Sequence, residues 1–542
     1  MNTLNLKSRM VALVILFTIH CSLFTSVALA GNYGIVPLPR SVTLQKGEPF
    51  TLDATVQILA PSALQQEAEF LKLYLSDLVG VDFPIVVKKA KNVRYVELSV
   101  SPKVQEKEGY VLTVSSKGVT LQGGSAAGVF YGIQTFRKAL ANTSSESLLQ
   151  MFQLPAAVIT DAPRFSWRGM HLDCSRHFFS VEFVKKFIDL LALHNMNVFH
   201  WHLTDDQGWR IEMKKWPKLS TVGSQRSGTI IGTNSDLDDH IPYGGCYSQQ
   251  DAREIVAYAA ARHITVVPEI DMPGHMLAAL ASYPELGCTG GPYQVGHYWG
   301  VYKDVLCVGN EKVYQFVEDV LTEIMDIFPS EVIHIGGDET PTEKWEACPK
   351  CQGIEGKQAY FTKRVFDFLT SKGRRALGWD EILDGSPQDA MIMSWRGSAP
   401  GAKAAATGHD VVMSPTTHCY FDYQQVEDTQ FEPSRCGGYI PVDKVYSLDP
   451  APDSLSVAAK AHILGVQANL WTEYIVNEEM LEYQALPRMT ALAEVQWTQP
   501  QRKDFDDFKQ RLGEFTKYLN YLHYTYCKDL WPERQIPNRW QF

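Results

Sequence analysis

From about residue 161 to about residue 500 the chain alternates between short β-branched runs and amphipathic stretches, and this alternation limits its fold more than any other feature. Residues 167–173 predict a strand. Residues 181–194 predict a helix with Phe183, Val184, Phe187, Ile188 and Leu191 on one face. Further strands are predicted at 197–203, 264–270, 332–335, 376–379, 390–395, 411–414 and 463–470. Helices are predicted at 249–262, 311–328, 357–371 and 478–496. Eight strands, mostly separated by helices, point to the α/β class and to a closed (β/α)8 TIM barrel. The connection over 415–462 fits this scheme least and reads as a long loop insertion.

The residues in front of this series read differently. A helix is expected at 65–78 and another at 126–140, with strands at 93–100, 109–114 and 119–122. Residues 31–160 therefore form a small α+β domain with few convergent polar groups, and its expected role is structural. Asp161-Ala-Pro163 marks the boundary with the barrel, 161–500, and 501–542 is expected to pack on the barrel as a C-terminal extension. The first thirty residues read as a signal peptide. Lys7 and Arg9 precede an apolar core, and Ala28-Leu29-Ala30 is a small-x-small cleavage site. Export to the periplasm or the medium, with cleavage near Ala30, is the expected fate. No other segment is long and apolar enough to anchor the chain in a membrane. A net charge of -11 argues against a nucleic-acid partner.

The polar residues carry the chemistry. Barrels of this kind keep their sites where the strands end, on the carboxyl face. The strand ends are expected to hold Arg168 and Asp173; His200, His202, Asp205 and Asp206; Glu269, Asp271 and His275; and Asp338 with Glu339. The last four offer Trp379, Trp395, Tyr420 with Asp422, and Trp471 with Glu473. Tryptophans and a tyrosine among carboxylates suit a sugar. The C–H faces of a pyranose stack on rings, and its hydroxyls need charged partners. Arg168, Asp422 and Glu473 are read as those partners.

Within this set, Val332 to Thr340 is central: a short strand, two glycines, then adjacent carboxylates. Neighbouring acids repel, which favours keeping one protonated as a general acid. In glycoside hydrolysis by two carboxylates, the acids flank the anomeric carbon from opposite sides. Asp338 and Glu339 leave the same wall. If Glu339 is the acid, Asp338 is badly placed to attack, and the nucleophile is expected to come from the substrate, as a 2-acetamido carbonyl can.

These residues carry a resemblance. Trp167-Arg168-Gly169, the run from His200 to Arg210, Pro268 to His275, and His334-Ile-Gly-Gly-Asp-Glu339 resemble glycoside hydrolase family 20, the β-N-acetylhexosaminidases. So do Gly378-Trp-Asp-Glu381, Tyr420-Phe-Asp422 and Asn469-Leu-Trp-Thr-Glu473, and the likeness covers nearly the whole mature chain. It implies that Glu339 is the acid/base. Asp338 would hold the acetamide N–H and Tyr420 its oxygen. Trp379, Trp395 and Trp471 would wall the pocket, and Arg168, Asp422 and Glu473 would grip hydroxyls. His275 and Asp205 would form a relay behind Glu339, with Asp271 nearby. The implied partner is a carbohydrate with a terminal N-acetylhexosamine, and the implied chemistry uses no cofactor. Tyr439 stands where the family often has a tryptophan.

Two other classes compete. His200-x-His202 at a strand end could begin the metal site of an amidohydrolase, but the later strand ends supply acids and tryptophans instead of a further histidine. A non-catalytic glycan-binding protein is the other class, and the intact acid positions speak against it. Cys348-Pro-Lys-Cys351 looks like half a zinc site, yet no second Cys-x-x-Cys or His pair completes it, so a local disulfide or two free thiols is expected and no metal site. Cys288 and Cys307 flank a Gly-Gly-Pro loop and could staple it.

Overall fold

The computed structural model describes residues 33–143, 152–233, 235, 237–428, 432, 437–528 and 530. The expected signal peptide lies outside the described residues. The chain divides into two compact units. One runs to Arg164 and takes in Trp497–His523; the other is Phe165–Gln496 with the residues from Tyr524 onward.

In the first unit a seven-stranded mixed sheet is built in the order Ser41–Leu44, Ala157–Asp161, Tyr110–Ser115, Gly118–Gly123, Tyr95–Val100, Gln57–Leu59, Ile85–Val86. Alternation makes Tyr110–Ser115, Gly118–Gly123 and Ala157–Asp161 one-sided. In Tyr110–Ser115, Tyr110, Leu112 and Val114 are buried and the residues between them are half-exposed. Helices Gln65–Val79 and Ala126–Thr143 pack against each other, and the second lies on the sheet. The C-terminal helix Phe505–Tyr521 also belongs to this unit, with Phe508, Leu512, Phe515 and Leu519 buried. It packs on Ala126–Thr143. This corrects the expectation that the extension packs on the barrel, which among the described residues holds only after His523. There Thr525 N donates to Glu482 (2.8 Å) and Cys527 N to the Leu486 carbonyl (3.1 Å). The helix is amphipathic, and the apolar stripe that needs a cover is on the small unit.

The second unit is a closed parallel barrel with its strands in sequence order: Trp167–Asp173, Val198–His202, Thr265–Glu269, Val332–His334, Arg375–Trp379, Met391–Ser394, Val411–Met413 and Ile463–Ala468. The first strand closes on the eighth in parallel register, Trp167 opposite Gly465 through Met170 opposite Ala468. All seven residues of the first strand are buried, as expected where both faces are covered. Trp167, Val198, Val267, Leu377, Met391, Met393 and Val412 pack the interior. Higher up, the register sets Asp173 beside His202, His202 beside Glu269, and Glu269 beside His334, so the filling becomes polar toward the carboxyl end.

The helix expected over 478–496 is two helices, Glu478–Ala485 and Arg488–Trp497. Pro487 has no N–H to donate and disfavours helical geometry at Leu486, so the chain breaks there. The stretch over 415–462 is not bare loop; it carries the short helices Thr416–Cys419, Val442–Ser447 and Val457–Ala461. Among the described residues no helix is long and apolar enough to cross a membrane.

Candidate active site

The fourth barrel strand ends at His334, and the chain then turns through Gly336 (φ 67°) and Gly337 (φ 95°). Both positions need glycine. A Cβ on Gly336 would stand 1.7 Å from Asp271 Oδ1, and one on Gly337 would stand 2.4 Å from Ile382 Cγ2. The turn delivers Asp338 and Glu339 to one side of a pocket. The pocket is lined by Arg176, Asp205, His275, Asp338, Glu339, Trp379, Trp395, Tyr420, Asp422, Tyr423, Trp471 and Glu473. Ten of the twelve residues expected at the site are therefore together.

Two are not. Arg168 lies at the amino end of the first strand, fully buried, donating to the carbonyls of Phe165 (2.8 Å) and Asn195 (2.9 Å). It cannot grip a hydroxyl from there. The guanidinium in the pocket belongs to Arg176, three residues beyond the carboxyl end of the same strand. Arg176 reaches Asp205 Oδ2 at 2.9 Å, Asp173 Oδ2 at 3.3 Å and Glu473 Oε1 at 4.0 Å, and stands over the Trp471 ring. The second correction is Asp271. It is buried beneath the glycine turn and accepts the Gly337 N–H at 3.2 Å, so it shapes the turn and does not line the pocket. Tyr423 was not foreseen either; its ring packs on Tyr420 with centroids 5.8 Å apart. Tyr439 stands largely exposed, outside the pocket lining.

Behind the acids runs a chain of charges. Asp205 takes His202 Nε2 (2.9 Å) and Arg176 on one oxygen and His275 Nδ1 (3.2 Å) on the other. His275 Nε2 faces Asp338 and Glu339, each at 3.7 Å. Burial works against the His275 imidazolium, but the Asp205 and Asp338 carboxylates hold its pKa well above the usual histidine range. Burial also opposes the Asp205 charge; Arg176 and His275 outweigh it and hold that carboxyl low. Glu339 goes the other way. Burial, then the neighbouring Asp338 charge, raises its pKa, while its side chain stays open to the pocket. Asp338 is raised chiefly by burial.

The three tryptophans are fixed by their indole N–H groups or neighbours. Trp379 Nε1 donates to Glu269 (2.9 Å) and Trp395 Nε1 to Glu381 (2.9 Å). Trp471 packs at a tilt against His171, ring centroids 4.4 Å apart, and lies 5.8 Å from Trp379. Tyr420 lies stacked 6.2 Å from Trp395, and burial pushes its phenol well up, so it remains a donor. Below them Glu269 gathers His200, His202 and His334 at 3.1, 2.5 and 2.9 Å. His200 also meets Gln467. The two histidines that could begin a metal site are thus buried and engaged by this carboxylate network. Among the described residues several His and carboxylate groups lie close enough to hold a cation, all within this network, together with one all-cysteine cluster, Cys288, Cys307, Cys348 and Cys351. The cluster sets Cys288 and Cys307, which are not a second Cys-x-x-Cys, against Cys348 and Cys351; all four are free thiols, so no disulfide staples the Cys288–Cys307 loop.

Comparison with known proteins agrees with this geometry. Residues 165–500 match the family model described as Glycosyl hydrolase family 20, catalytic domain, and residues 32–162 that described as Glycosyl hydrolase family 20, domain 2. The chain belongs to glycosyl hydrolase family 20. It is accordingly a glycoside hydrolase. A β-hexosaminidase of Porphyromonas gingivalis is 42% identical over 495 residues, 88% of this chain and 62% of that protein. A β-hexosaminidase of Akkermansia muciniphila is 35% identical over 76% of this chain and 84% of its own length. The present chain thus spans less than two thirds of the Porphyromonas protein. Among solved structures, the family 20 β-N-acetylhexosaminidase of Streptomyces coelicolor A3(2) superposes with a TM-score of 0.79 at 33% identity, covering 93% of this chain and 98% of that one. The exo-β-N-acetylglucosaminidase of Vibrio harveyi, solved with N-acetylglucosamine, gives 0.81 at 31% identity, covering 92% and 78%.

Proposed function

We propose that the chain is an exo-acting β-N-acetylhexosaminidase that removes terminal, non-reducing β-linked N-acetylhexosamine with retention of configuration. The observation that carries this reading is the single turn holding Asp338 and Glu339 side by side at a pocket walled by three tryptophans. Glu339, whose pKa burial and the Asp338 charge raise, gives its proton to the glycosidic oxygen as the bond from that oxygen to C1 breaks. The substrate's acetamide oxygen closes on C1 from the opposite face and forms an oxazolinium ring. Asp338 accepts the acetamide N–H and balances the positive charge that develops, and the Tyr420 hydroxyl donates to the acetamide oxygen. Water then attacks C1 and loses its proton to Glu339, the ring opens, and two inversions leave the anomer unchanged. Arg176, Asp422 and Glu473, which line the same pocket, suit the ring hydroxyls.

The relatives support the substrate class, since the Vibrio enzyme was solved with N-acetylglucosamine. The test is a panel of aryl glycosides followed by NMR. N-acetylglucosaminides and N-acetylgalactosaminides should be cleaved to the β-anomer first, and β-glucosides without the acetamido group should be nearly inert. Comparable cleavage of plain glucosides, or a glycosyl ester trapped on Asp338, would remove the proposal.

Export is part of the same proposal. Lys7, Arg9, the apolar stretch after them and Ala28-Leu29-Ala30 support it. Amino-terminal sequencing of the protein recovered outside the cytoplasm should begin at Gly31; material beginning at Met1 would refute cleavage.

A further inference from the structure

Four cysteines from two stretches of the chain meet in the connections that follow the third and fourth barrel strands. Cys288 and Cys307 bracket a segment of the connection that follows the third barrel strand. Cys348 and Cys351 come after the fourth strand, where the short helix Glu343–Ala347 runs into a tight turn at Pro349–Cys351. The sulfurs of Cys307 and Cys348 are 3.7 Å apart, those of Cys307 and Cys351 3.6 Å, and those of Cys288 and Cys351 4.0 Å. All four lie within 4.8 Å of one another, and none is in a disulfide.

The spacing is diagnostic. A disulfide brings two sulfurs to about 2.05 Å. A zinc ion with four thiolates at about 2.3 Å sets them at the corners of a tetrahedron whose edges are about 3.8 Å. The observed separations fall around that edge and far from the bonded length. We propose that Cys288, Cys307, Cys348 and Cys351 bind one zinc ion as a closed structural site.

The surroundings fit a structural ion. Cys307, Cys348 and Cys351 are buried, and the donor set is all sulfur, which selects zinc or another soft ion over calcium or magnesium. Four protein ligands leave no open position for water or substrate. Gly309 lets the two segments lie in contact: a Cβ there would stand 1.8 Å from the Lys350 carbonyl.

The site ties together two segments that each carry a residue assigned above to the chemistry. Leu306, next to Cys307, donates its N–H to the Pro273 carbonyl at 3.0 Å, two residues from His275. Trp345 Nε1 donates to the Leu306 carbonyl at 2.8 Å, within the stretch that leads from Glu339 to Cys348. The ion would therefore brace the acid and the histidine behind it without touching substrate.

The test uses the full chain, produced with zinc in the medium. Elemental analysis should find one zinc per chain, and the four thiols should react slowly until a chelator is added. Exchange with Co(II) should give the intense visible bands of a tetrahedral tetrathiolate. Cys348→Ser and Cys288→Ser should each lose the metal and melt at lower temperature. If neither variant folds, the metal content and thiol reactivity of the unaltered chain decide the question alone. Two disulfides among these cysteines, seen as a mass four hydrogens lower, would overturn the proposal. So would a zinc-free chain whose four thiols all react at once and take up no added zinc.

Discussion

Arg168 and Arg176 flank one barrel strand, and both are buried, yet they are opposite kinds of residue. Seven residues at about 3.3 Å each separate the two ends of Trp167–Asp173. At the amino end Arg168 faces backbone carbonyls and holds loops to the barrel floor. Beyond the carboxyl end Arg176 faces three carboxylates, among them Glu473 on the pocket wall. Burial and residue type do not separate structure from function here; what each guanidinium faces does. The strand has a direction, and function collects where it points.

The sharpest way to press this contrast is at the carboxyl end itself. Glu339→Gln should lower kcat/KM on poor leaving groups by roughly 10²–10⁴, and by much less on activated aryl glycosides, with little change in melting temperature. Activity of the unaltered enzyme should fall as pH rises through the elevated Glu339 pKa, because the acid is then lost. That alkaline limb should vanish in the variant. Equal losses on both substrates would break the assignment.

Next in size is Arg176→Lys. A point charge cannot span Asp205, Asp173 and Glu473 as a planar fork does. Steady-state kinetics should show a loss of roughly 2–4 kcal/mol in transition-state stabilisation. Kinetics close to those of the unaltered enzyme would place Arg176 with its structural counterpart.

Arg168→Met should do the reverse. Two buried carbonyls lose their donor, at about 1–3 kcal/mol of folding stability. Denaturant titration should register that loss, while kcat/KM of the folded enzyme stays within about twofold. A large kinetic defect in a stable variant would erase the distinction between the two ends.

At neutral pH the smallest effect concerns His177, next to Arg176; the contribution of His177 changes only in acid. Burial lowers its pKa from 6.5 to about 4, against the pull of its bond to the Thr472 carbonyl. The unfolded chain therefore takes the proton first. The stability this residue contributes is complete above about pH 6.5 and is lost as pH falls toward 4. His177→Gln should flatten that acid slope in denaturant titrations at several pH values. An unchanged slope would show that other groups set it.

Much of this was legible in the sequence. The first strand falls on residues 167–173 as predicted, and the other barrel strands differ from prediction by one or two residues at their ends. β-Branched runs between amphipathic helices leave few alternatives. Ten site residues followed from the rule that strand ends carry chemistry. Arg168 does not obey it, because it stands at the amino end of its strand. Arg176 was there to be found, three residues past Asp173. Asp271 shows a different limit: no local pattern tells an acid facing a pocket from one holding a glycine turn. Pro487 was visible and should have split the last helix. The four cysteines were visible too, but only the barrel's topology brings their loops together. In the first unit, strands of two to four residues such as Ile85–Val86 carry too little periodicity to show in the sequence.

Glu339 and His275 share one further trait: φ is 45° and 51°, a backbone region that side chains other than glycine adopt at a cost on the order of 1 kcal/mol or more. Selection for folding alone would favour glycine at both positions. Selection for turnover keeps them as they are. The two pressures oppose each other at the residues the chemistry can least spare. A library screened only for heat resistance should therefore drift toward well-folded, silent proteins by way of these two codons, whereas one screened for turnover should gather its stabilising changes elsewhere.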